Sequence, residues 1–290
     1  MTREGAVAYP VSSLETLVAR FGGDASPAFS QGSIVALAAI ESAVAGDLSL
    51  CATAIHVASA RRALEAGAFV LATPDLAARL ADPAHVWTHA HAAWAFAMLT
   101  AAADHVLPAA VVPDDAVIEP GAQVLPGVHL GRGVRIGAGS IVGRAGFGFV
   151  VAPDGTPHPV PHVGGVVLGD HVSIGAYCTV DAGVLLPTRI GAHSKLDSHV
   201  HVGHNVVLGQ RVLVAAQAGF AGSVTVGDDV QVGGQAGIAD HVHVGAGARI
   251  AAKAGVIGDV PAGSTFAGYP AVARARWLRG HARLYRGTSS

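Results

Sequence analysis

Aromatic residues are scarce in this chain, where they make up 5% of 290 residues. Large aromatic side chains dominate the cores of most globular domains, so their scarcity disfavours a core of that ordinary kind. Hydrophobic residues nevertheless reach 51%, and 38 residues are glycine. Small and β-branched aliphatic side chains in such number favour thin, regular layers that are stacked many times.

Cysteine and unbalanced charge are also lacking. The two cysteines, Cys51 and Cys178, form no CxxC pattern, which fits a reducing compartment and disfavours a disulfide framework or a cysteine zinc site. The formal net charge of −2 gives no basis for a general affinity for nucleic acid.

Signals for export and for membrane insertion are absent from the sequence as well. Residues 1–7 lack the charged-then-apolar order of a signal peptide. Apolar stretches such as residues 92–102 are too short to cross a bilayer. We therefore expect a cytoplasmic protein with no stable membrane insertion.

A repeat of six residues dominates the sequence from residue 112 onward. A large apolar residue recurs at every sixth position in three series, which are Val112, Ile118, Val124, Leu130, Ile136 and Val142, then Leu168, Ile174 and Val180, then Ile190, Leu196, Val202, Leu208, Val214, Phe220, Val226, Val232, Ile238, Val244, Ile250 and Val256. A period of six matches neither a helix of 3.6 residues per turn nor a strand that alternates its two faces. It predicts a triangular solenoid, in which each hexad supplies one short strand and one corner, and three hexads close one coil.

The repeated residue is expected to point inward, where burial of each side chain contributes about 1.5–3 kcal/mol before the entropic cost. Glycine often follows it, as at Gly131, Gly191 and Gly233. We expect this glycine to supply a turn at positive φ. Strands of successive coils would then stack in parallel at about 4.8 Å.

These patterns divide the chain into three parts and predict a mainly β fold. Residues 1–103 lack hexads and suggest a small α/β domain, which we expect to bind substrate. Residues 104–260 are the predicted parallel β-helix, interrupted at 143–165 by a loop that leaves one corner. Residues 261–290 have the pattern of a basic C-terminal helix.

Several motifs, together with this domain order, resemble those of one family. They are Ala39-Ile40-Glu41-Ser42-Ala43 with Gly46-Asp47-Leu48-Ser49, Gly146-Phe147-Gly148, Gly203-His204-Asn205, Ile238-Ala239-Asp240-His241 and Gly268-Tyr269-Pro270. The chain looks like a divergent, shortened member of the UDP-3-O-acylglucosamine N-acyltransferases of lipid A biosynthesis, which are hexapeptide-repeat acyltransferases. The resemblance implies that the parallel β-helix is left-handed.

The resemblance also implies a reaction and an assembly. An acyl group, expected to be 3-hydroxyacyl, would move from acyl carrier protein to the amine of a UDP-3-O-acylglucosamine-like sugar nucleotide. The amine would attack the thioester directly, without a cofactor or a metal. The implied assembly is a homotrimer with grooves between neighbouring β-helices, and we expect the groove corner around Phe220 to be exposed in an isolated chain.

The catalytic positions of the family fall on four residues. The resemblance implies His204 as general base, Asp197 as its support, Gly222 as the N–H donor to the oxyanion, and His241 as a second histidine of the site. The spacing agrees, because Gly222 lies eighteen residues, or one coil, after His204, and His241 lies on the same corner. Neutral imidazole, with a pKa of about 6.5, suits a general base, and glycine lets an acyl group approach a fixed N–H.

Further positions are expected to contact the substrates and the carrier. The substrate-binding positions are Asn205, Gly146, Phe147, Gly148, Leu50, Thr53 and His56. The positions expected to contact acyl carrier protein are Arg274, Arg276 and Arg279. Arginines are reasonable partners for that acidic carrier.

Two departures from the family leave the acceptor open. Leu50, Thr53 and His56 stand where the family has an aromatic residue, an asparagine and a tyrosine for the uridine, and Asp181-Ala182-Gly183 replaces an Asp-Arg-Gly motif. An N-acyltransferase that acts on a different amino sugar or amine, possibly with acyl-CoA as donor, is the alternative.

Two other classes also fit parts of the sequence. His199 and His204 have the H-x4-H spacing of γ-class carbonic anhydrases, with His201 between them, and the third zinc ligand would have to be His162 in the irregular loop. The scaffold could instead be a non-catalytic assembly protein, although the presence of both His204 and Asp197 disfavours that function.

Overall fold

The computed structural model describes residues 4–26, 29, 31–80, 82–103, 105–268, 278–280 and 282–283. It contains an N-terminal α/β domain followed by a long parallel β-helix. Arg274 and Arg276 lie outside the described residues, while Arg279 is exposed in a short helical stretch at residues 278–280. None of the helices in the described part of the chain is long and apolar enough to cross a membrane.

A six-stranded mixed sheet forms the N-terminal domain. Its strands are β1 (Ala6–Ser13), β2 (Asp24–Ala25), β3 (Ser33–Ala38), β4 (Asp47–Cys51), β5 (Phe69–Ala72) and β6 (Val86–Thr88). They lie in the order β1-β3-β4-β5-β6-β2, with β3 to β6 parallel and the two edge strands antiparallel. The inner strands β4 and β5 are almost wholly buried, as is usual where parallel strands are joined by helical crossovers.

Helices connect and cover these strands. They are α1 (Leu14–Phe21), α2 (Val57–Glu65), α3 (Pro74–Ala77) and α4 (Ala92–Ala102), with short 3-10 turns at Ala54–His56 and Pro83–His85. The first begins at Ser13, whose Oγ accepts a hydrogen bond from the Thr16 backbone N–H at 3.2 Å. The last, α4, packs on β4 and β5 and also contacts Phe149–Val151 in the loop that interrupts the β-helix. It therefore forms a wall between the two domains.

Three parallel sheets form the β-helix, one for each side of its triangular coil. Sheet I comprises β7 (Val117–Ile118), β10 (Arg135–Ile136), β15 (Ser173–Ile174), β18 (Lys195–Leu196), β21 (Leu213–Val214), β24 (Gln231–Val232), β27 (Arg249–Ile250) and β29 (Thr265–Phe266). Sheet II comprises β8 (Gln123–Val124), β11 (Ile141–Arg144), β16 (Thr179–Asp181), β19 (His201–Val202), β22 (Gly219–Phe220), β25 (Gly237–Ile238) and β28 (Gly255–Val256). Sheet III comprises β9 (Val128–Leu130), β14 (Val166–Leu168), β17 (Thr188–Ile190), β20 (Val207–Leu208), β23 (Thr225–Val226) and β26 (His243–Val244). The predicted mainly β fold with a parallel β-helix is confirmed.

A column of apolar side chains fills the coils. The repeated residues from Leu130 to Val256 are all buried. Phe220 is 0% exposed, so the expectation that it lines an exposed corner is wrong, because it occupies the inward position of β22. Val112 and Ile118 are 45% and 37% exposed, because the first coil has a stacked neighbour on one side only.

The glycine that follows the repeated residue does not adopt the positive φ that the sequence predicts. Positive φ occurs two residues after this glycine, for example at His193, with φ 63°, and at Gln235, with φ 59°. Gly191 and Gly233 themselves are not in the left-handed region, but a Cβ on either would lie 2.4 Å from backbone atoms of the next coil. Glycine is needed there because successive coils approach too closely for any side chain.

The interruption at 143–165 contains a β-hairpin at the corner between sheets II and III. Its strands, β12 (Phe149–Val151) and β13 (Pro157–Pro159), pair in antiparallel fashion. The hairpin leaves after β11 and returns to β14. It therefore lies at the same corner of the β-helix as the turn that follows β19.

Replacing Gly191 with alanine should destabilise the β-helix. Its Cβ would lie 2.4 Å from the backbone of Gly209 in the next coil, and overpacking of this kind costs about 1–3 kcal/mol. Gly255→Ala is the matched control, since a Cβ at Gly255 would meet nothing within 4 Å. Urea denaturation followed by circular dichroism should show a lower midpoint for Gly191→Ala alone. Equal midpoints would contradict the close-approach explanation.

Candidate active site

His204 lies on the corner between sheets II and III, directly after β19. Its imidazole covers Gly222 one coil further on, so closely that a Cβ on Gly222 would lie 2.5 Å from the His204 Nε2. The Gly222 carbonyl accepts a hydrogen bond from the His241 backbone N–H at 3.2 Å. The structure thus brings His204, Gly222 and His241 together along one edge of the β-helix.

The backbone N–H of Gly222 is available at this edge. Within the described part of the chain it donates a hydrogen bond to no neighbour. Gly222 has no Cβ, and the atoms nearest to the position that a Cβ would take belong to the His204 ring. An N–H in such a position can stabilise a negatively charged oxygen that forms next to His204.

Asn205 follows His204 and is held by protein groups on every side of its amide. Its Oδ1 lies 3.1 Å from the His204 Nδ1 and accepts a hydrogen bond from the Val184 N–H at 3.0 Å. Its Nδ2 donates to the Leu186 carbonyl at 2.8 Å, and its own N–H donates to the Thr188 Oγ1 at 2.9 Å. Asn205 thus links the His204 corner to the backbone of the preceding coil, and it also lines a cavity beside His204, so its substrate-binding role stays a prediction.

A buried carboxylate lies beside the same edge. Asp181, at the end of β16, is 1% exposed, and its Oδ1 is 2.8 Å from the Arg144 Nε. The His201 Nε2 lies 3.8 Å from the other oxygen. Burial raises the pKa of the Asp181 carboxyl, and the Arg144 guanidinium opposes that shift. Gly146 fits between Asp181 and His204, since a Cβ on Gly146 would lie 3.1 Å from both the Asp181 Oδ2 and the His204 Cβ.

His162 completes the surroundings of His204 from the hairpin side. Its side chain is 8% exposed, and its ring centroid lies 5.1 Å from that of His204, with the two rings at 70°. Burial, and then the nearby His204, lower the pKa of His162 to about 4. A second imidazole that stays neutral near pH 7 therefore packs against His204.

Three cavities are lined in part by His204, and His241 lines two of them, which are called the first and the second cavity below. The first, of about 600 Å³, lies between the N-terminal domain and the β-helix and is bounded by Phe96 of α4. The second, of about 780 Å³, runs along the outer face of sheet II. Its floor consists of residues at the same position of successive coils, namely Gly219, Gly237 and Gly255.

Parts of this chain are similar in sequence to known proteins. The family model described as bacterial transferase hexapeptide (six repeats) matches residues 109–144. UDP-3-O-acylglucosamine N-acyltransferase from Maricaulis maris is 52% identical over 147 residues, which are 51% of this chain and 42% of that protein. The enzyme of the same name from Caulobacter vibrioides is also 52% identical over 147 residues, covering 51% and 43% of the two chains.

These matches support the hexapeptide acyltransferase family for this chain. The chain matches less than half the length of each of these curated relatives. Among solved structures, UDP-N-acetylglucosamine acyltransferase from Campylobacter jejuni is 27% identical, with a TM-score of 0.43 over 54% of this chain and 68% of that one.

Of the four predicted catalytic residues, Asp197 is the one that lies apart from His204 within a single chain. It lies at the end of β18, exposed, where its Oδ1 accepts a hydrogen bond from the Ser198 N–H at 2.7 Å. It borders a depression on the outer face of sheet I that does not include His204. Within one chain, the Asp181 carboxylate lies beside His204, although the sequence indicates Asp181 only as part of an altered motif.

The expected acceptor-binding positions are divided between the first cavity and its surroundings. Leu50 and His56 line that cavity, but Thr53 does not. The Thr53 Oγ1 instead lies 3.1 Å from the His56 Nδ1. The first cavity also contains Glu4, which forms an ion pair with Arg189. Its wall is otherwise largely apolar.

The loop residues Gly146, Phe147 and Gly148 differ in their contacts. Gly146 allows close packing of His162, Asp181 and His204, and a Cβ on Gly148 would lie 3.0 Å from the His162 ring. Phe147 is 85% exposed and lines the second cavity. The loop thus contributes exposed aromatic rings, Phe147 and Phe149, and two glycines at which a Cβ would press on neighbouring side chains.

The histidines considered for zinc lie on different corners of the coil. His199 is at the corner between sheets I and II, where its ring stacks on Tyr177 with centroids 5.4 Å apart, while His204 is at the next corner. No group of three or more His, Cys, Asp or Glu residues that could hold a metal occurs within the described ranges. His199 and His204 therefore do not converge on one site within a single chain.

Stability between pH 6.5 and 4 should depend on His162. The pKa of His162 is lowered in the folded chain, so the unfolded state binds more protons in this window and the free energy of unfolding falls as the pH decreases. The full effect is about 3 kcal/mol, lost progressively from about pH 6.5 to about pH 4. Urea denaturation at several pH values should show a weaker decline for His162→Leu. The exposed His129 is the control, and an identical decline in His162→Leu and His129→Leu would contradict this prediction.

Proposed function

We propose that this protein is an N-acyltransferase that moves an acyl group from the thioester of acyl carrier protein to the amine of a UDP-3-O-acylglucosamine-like sugar nucleotide. The observation that carries the proposal is the position of His204 over Gly222 at the junction of two cavities. The names of the relatives support the reaction class. A 3-hydroxyacyl donor and a place in lipid A biosynthesis are part of the same proposal.

His204 acts as the general base in this mechanism. The Nε2 accepts a proton from the attacking amine as the amine nitrogen bonds to the thioester carbonyl carbon. The carbonyl oxygen becomes an oxyanion, which the Gly222 N–H stabilises. Collapse of this intermediate breaks the C–S bond, and the departing thiolate receives the proton from the imidazolium. The enzyme returns to its starting state without a covalent intermediate, a metal or a cofactor.

The two cavities divide the substrates. The second cavity suits an extended acyl chain, because its glycine floor presents backbone without side chains. The first cavity suits the acceptor, because it contains polar groups near His204 and extends into the N-terminal domain. His241, which lines both, is then placed to contact either substrate.

The proposed assembly is a homotrimer, and the proposed donor-binding surface includes the C-terminal arginines. Phe147 and Ile257 are 85% and 91% exposed beside the second cavity, and a neighbouring copy would bury them. Phe220 no longer supports this assembly, since it lies in the core. Arg279 is exposed and could pair with an acidic carrier.

Replacing His204 with alanine should lower kcat by roughly 10²–10⁴-fold, the usual contribution of a general base. His241→Ala should cost less. His199→Ala is the control, because His199 is exposed on another corner and stacks on Tyr177. Release of the carrier thiol and formation of the amide, followed by mass spectrometry, are the measurements. Full activity of a folded His204→Ala variant would refute the mechanism.

A different amine acceptor is the second candidate, favoured by Leu50 and the apolar wall of the first cavity. Loss of an aromatic stack and of an amide partner for uracil should weaken UDP binding by about 2–4 kcal/mol, or roughly 30- to 1000-fold. Calorimetry with UDP, dTDP and GDP measures this. Tight UDP binding that is lost in His56→Ala would restore the UDP-sugar acceptor, while binding of no nucleotide would favour another amine.

A further inference from the structure

The Asn205 amide has one possible orientation. The Val184 backbone N–H can only donate a hydrogen bond, and it lies 3.0 Å from the Asn205 Oδ1. The Leu186 carbonyl can only accept one, and it lies 2.8 Å from the Asn205 Nδ2. Exchanging the two ends of the amide would place donor against donor and acceptor against acceptor. The amide oxygen therefore faces His204.

This orientation determines where the His204 ring carries its proton. The Asn205 Oδ1 lies 3.1 Å from the His204 Nδ1, and an amide oxygen can only accept. A neutral imidazole has one N–H, and the hydrogen bond made by one nitrogen decides which atom carries it. With the proton on Nδ1, the lone pair is on Nε2, which is the atom that lies over Gly222.

The backbone of Asn205 makes this arrangement stiff. Its φ is 58°, in the left-handed region that asparagine tolerates better than most residues. Its N–H donates to the Thr188 Oγ1 at 2.9 Å. Three hydrogen bonds besides that to His204 thus hold the residue, so the His204 ring meets a fixed acceptor rather than a mobile one.

We infer that Asn205 is a positioning residue, which holds neutral His204 in the Nδ1–H tautomer and so presents the unprotonated Nε2 to the reacting amine. The tautomer is a property of the resting protein, while its effect on turnover rests on the proposed function. An asparagine suits this role because its Nδ2 is also hydrogen-bonded, to the Leu186 carbonyl, and the amide is therefore held in one orientation. A freely rotating amide could offer its NH₂ group to Nδ1 and select the wrong tautomer.

Two substitutions separate this role from a merely structural one. Asn205→Gly removes the acceptor and tolerates positive φ. Asn205→Asp keeps an oxygen towards both His204 and Val184 and also tolerates positive φ. Its second oxygen faces the Leu186 carbonyl, so we expect this variant to be less stable while it keeps the acceptor for His204. Gln217→Gly is the matched control, since Gln217 has a φ of 63° at the equivalent position of another corner. Urea denaturation of all three variants reports their effects on stability separately.

The decisive measurement is nitrogen NMR of histidine-labelled protein at alkaline pH, where imidazole is neutral, with the His204 signals assigned by comparison with His204→Gln. We expect Nδ1–H in the wild type and in Asn205→Asp, and a mixture of tautomers in Asn205→Gly. If the wild type carries its proton on Nε2, or if Asn205→Gly leaves the tautomer unchanged, the inference is overturned. The wild-type spectrum decides the matter even if Asn205→Gly does not fold.

Turnover gives the second test. Asn205→Gly should lower kcat by about tenfold with little change in KM, Asn205→Asp should restore most of it, and Gln217→Gly should have no effect. Equal kcat in wild type and Asn205→Gly would overturn the catalytic part of the inference. If the wild type transfers no acyl group while its spectrum shows Nδ1–H, the proposed function fails and the assignment of the tautomer stands.

Discussion

Close contact between successive coils is the constraint on which the rest of this protein depends. The backbones approach so nearly at Gly191 and Gly233 that a Cβ would lie 2.4 Å from the next coil. This contact keeps the coils in register, and residues eighteen apart consequently form columns. His204 and Gly222 are eighteen residues apart and lie in one such column. The regular coils, rather than a flexible loop, therefore set the position of His204 relative to Gly222.

The surroundings of His204 combine a buried, paired carboxylate with a neutral ring. The Asp181 carboxylate is buried while the Arg144 side chain is 42% exposed, so loss of Arg144 is unfavourable because it leaves a buried carboxylate without its partner. His162 remains uncharged at neutral pH because burial lowers its pKa to about 4. A charged His162 would repel the imidazolium that forms on His204, so a neutral ring at this position favours proton uptake by the base.

The residues that line the first cavity differ from those that the sequence motifs imply. Its wall includes Leu50 where the resemblance implies an aromatic ring, and its charged groups include the Glu4–Arg189 ion pair. An arginine already paired with a carboxylate is a weaker partner for a diphosphate than a free one. The reacting centre and the acceptor cavity therefore support the proposal to different degrees, since His204 and Gly222 lie together as the resemblance implies, whereas the cavity wall differs from it at Leu50.

The six-residue period by itself determined the β-helix, the inward column and the alignment of His204 with Gly222, because each depends on spacing along a regular coil. The same spacing also places His241 at that edge. The prediction that Gly191 supplies a positive φ was wrong, because the sequence does not show how closely two coils approach each other.

Only the tertiary structure shows that Asp181, Arg144 and His162 surround His204. Only the tertiary structure shows that Asp197 lies on another face of the β-helix. These residues come from an irregular hairpin and from neighbouring coils, and their contacts depend on the path by which the hairpin returns to the corner. The orientation of the Asn205 amide was decided in the same way, by the Val184 and Leu186 backbone groups of an adjacent corner. Periodic spacing fixes what lies in a column, whereas contacts between an irregular loop and a corner arise only when the whole chain is folded.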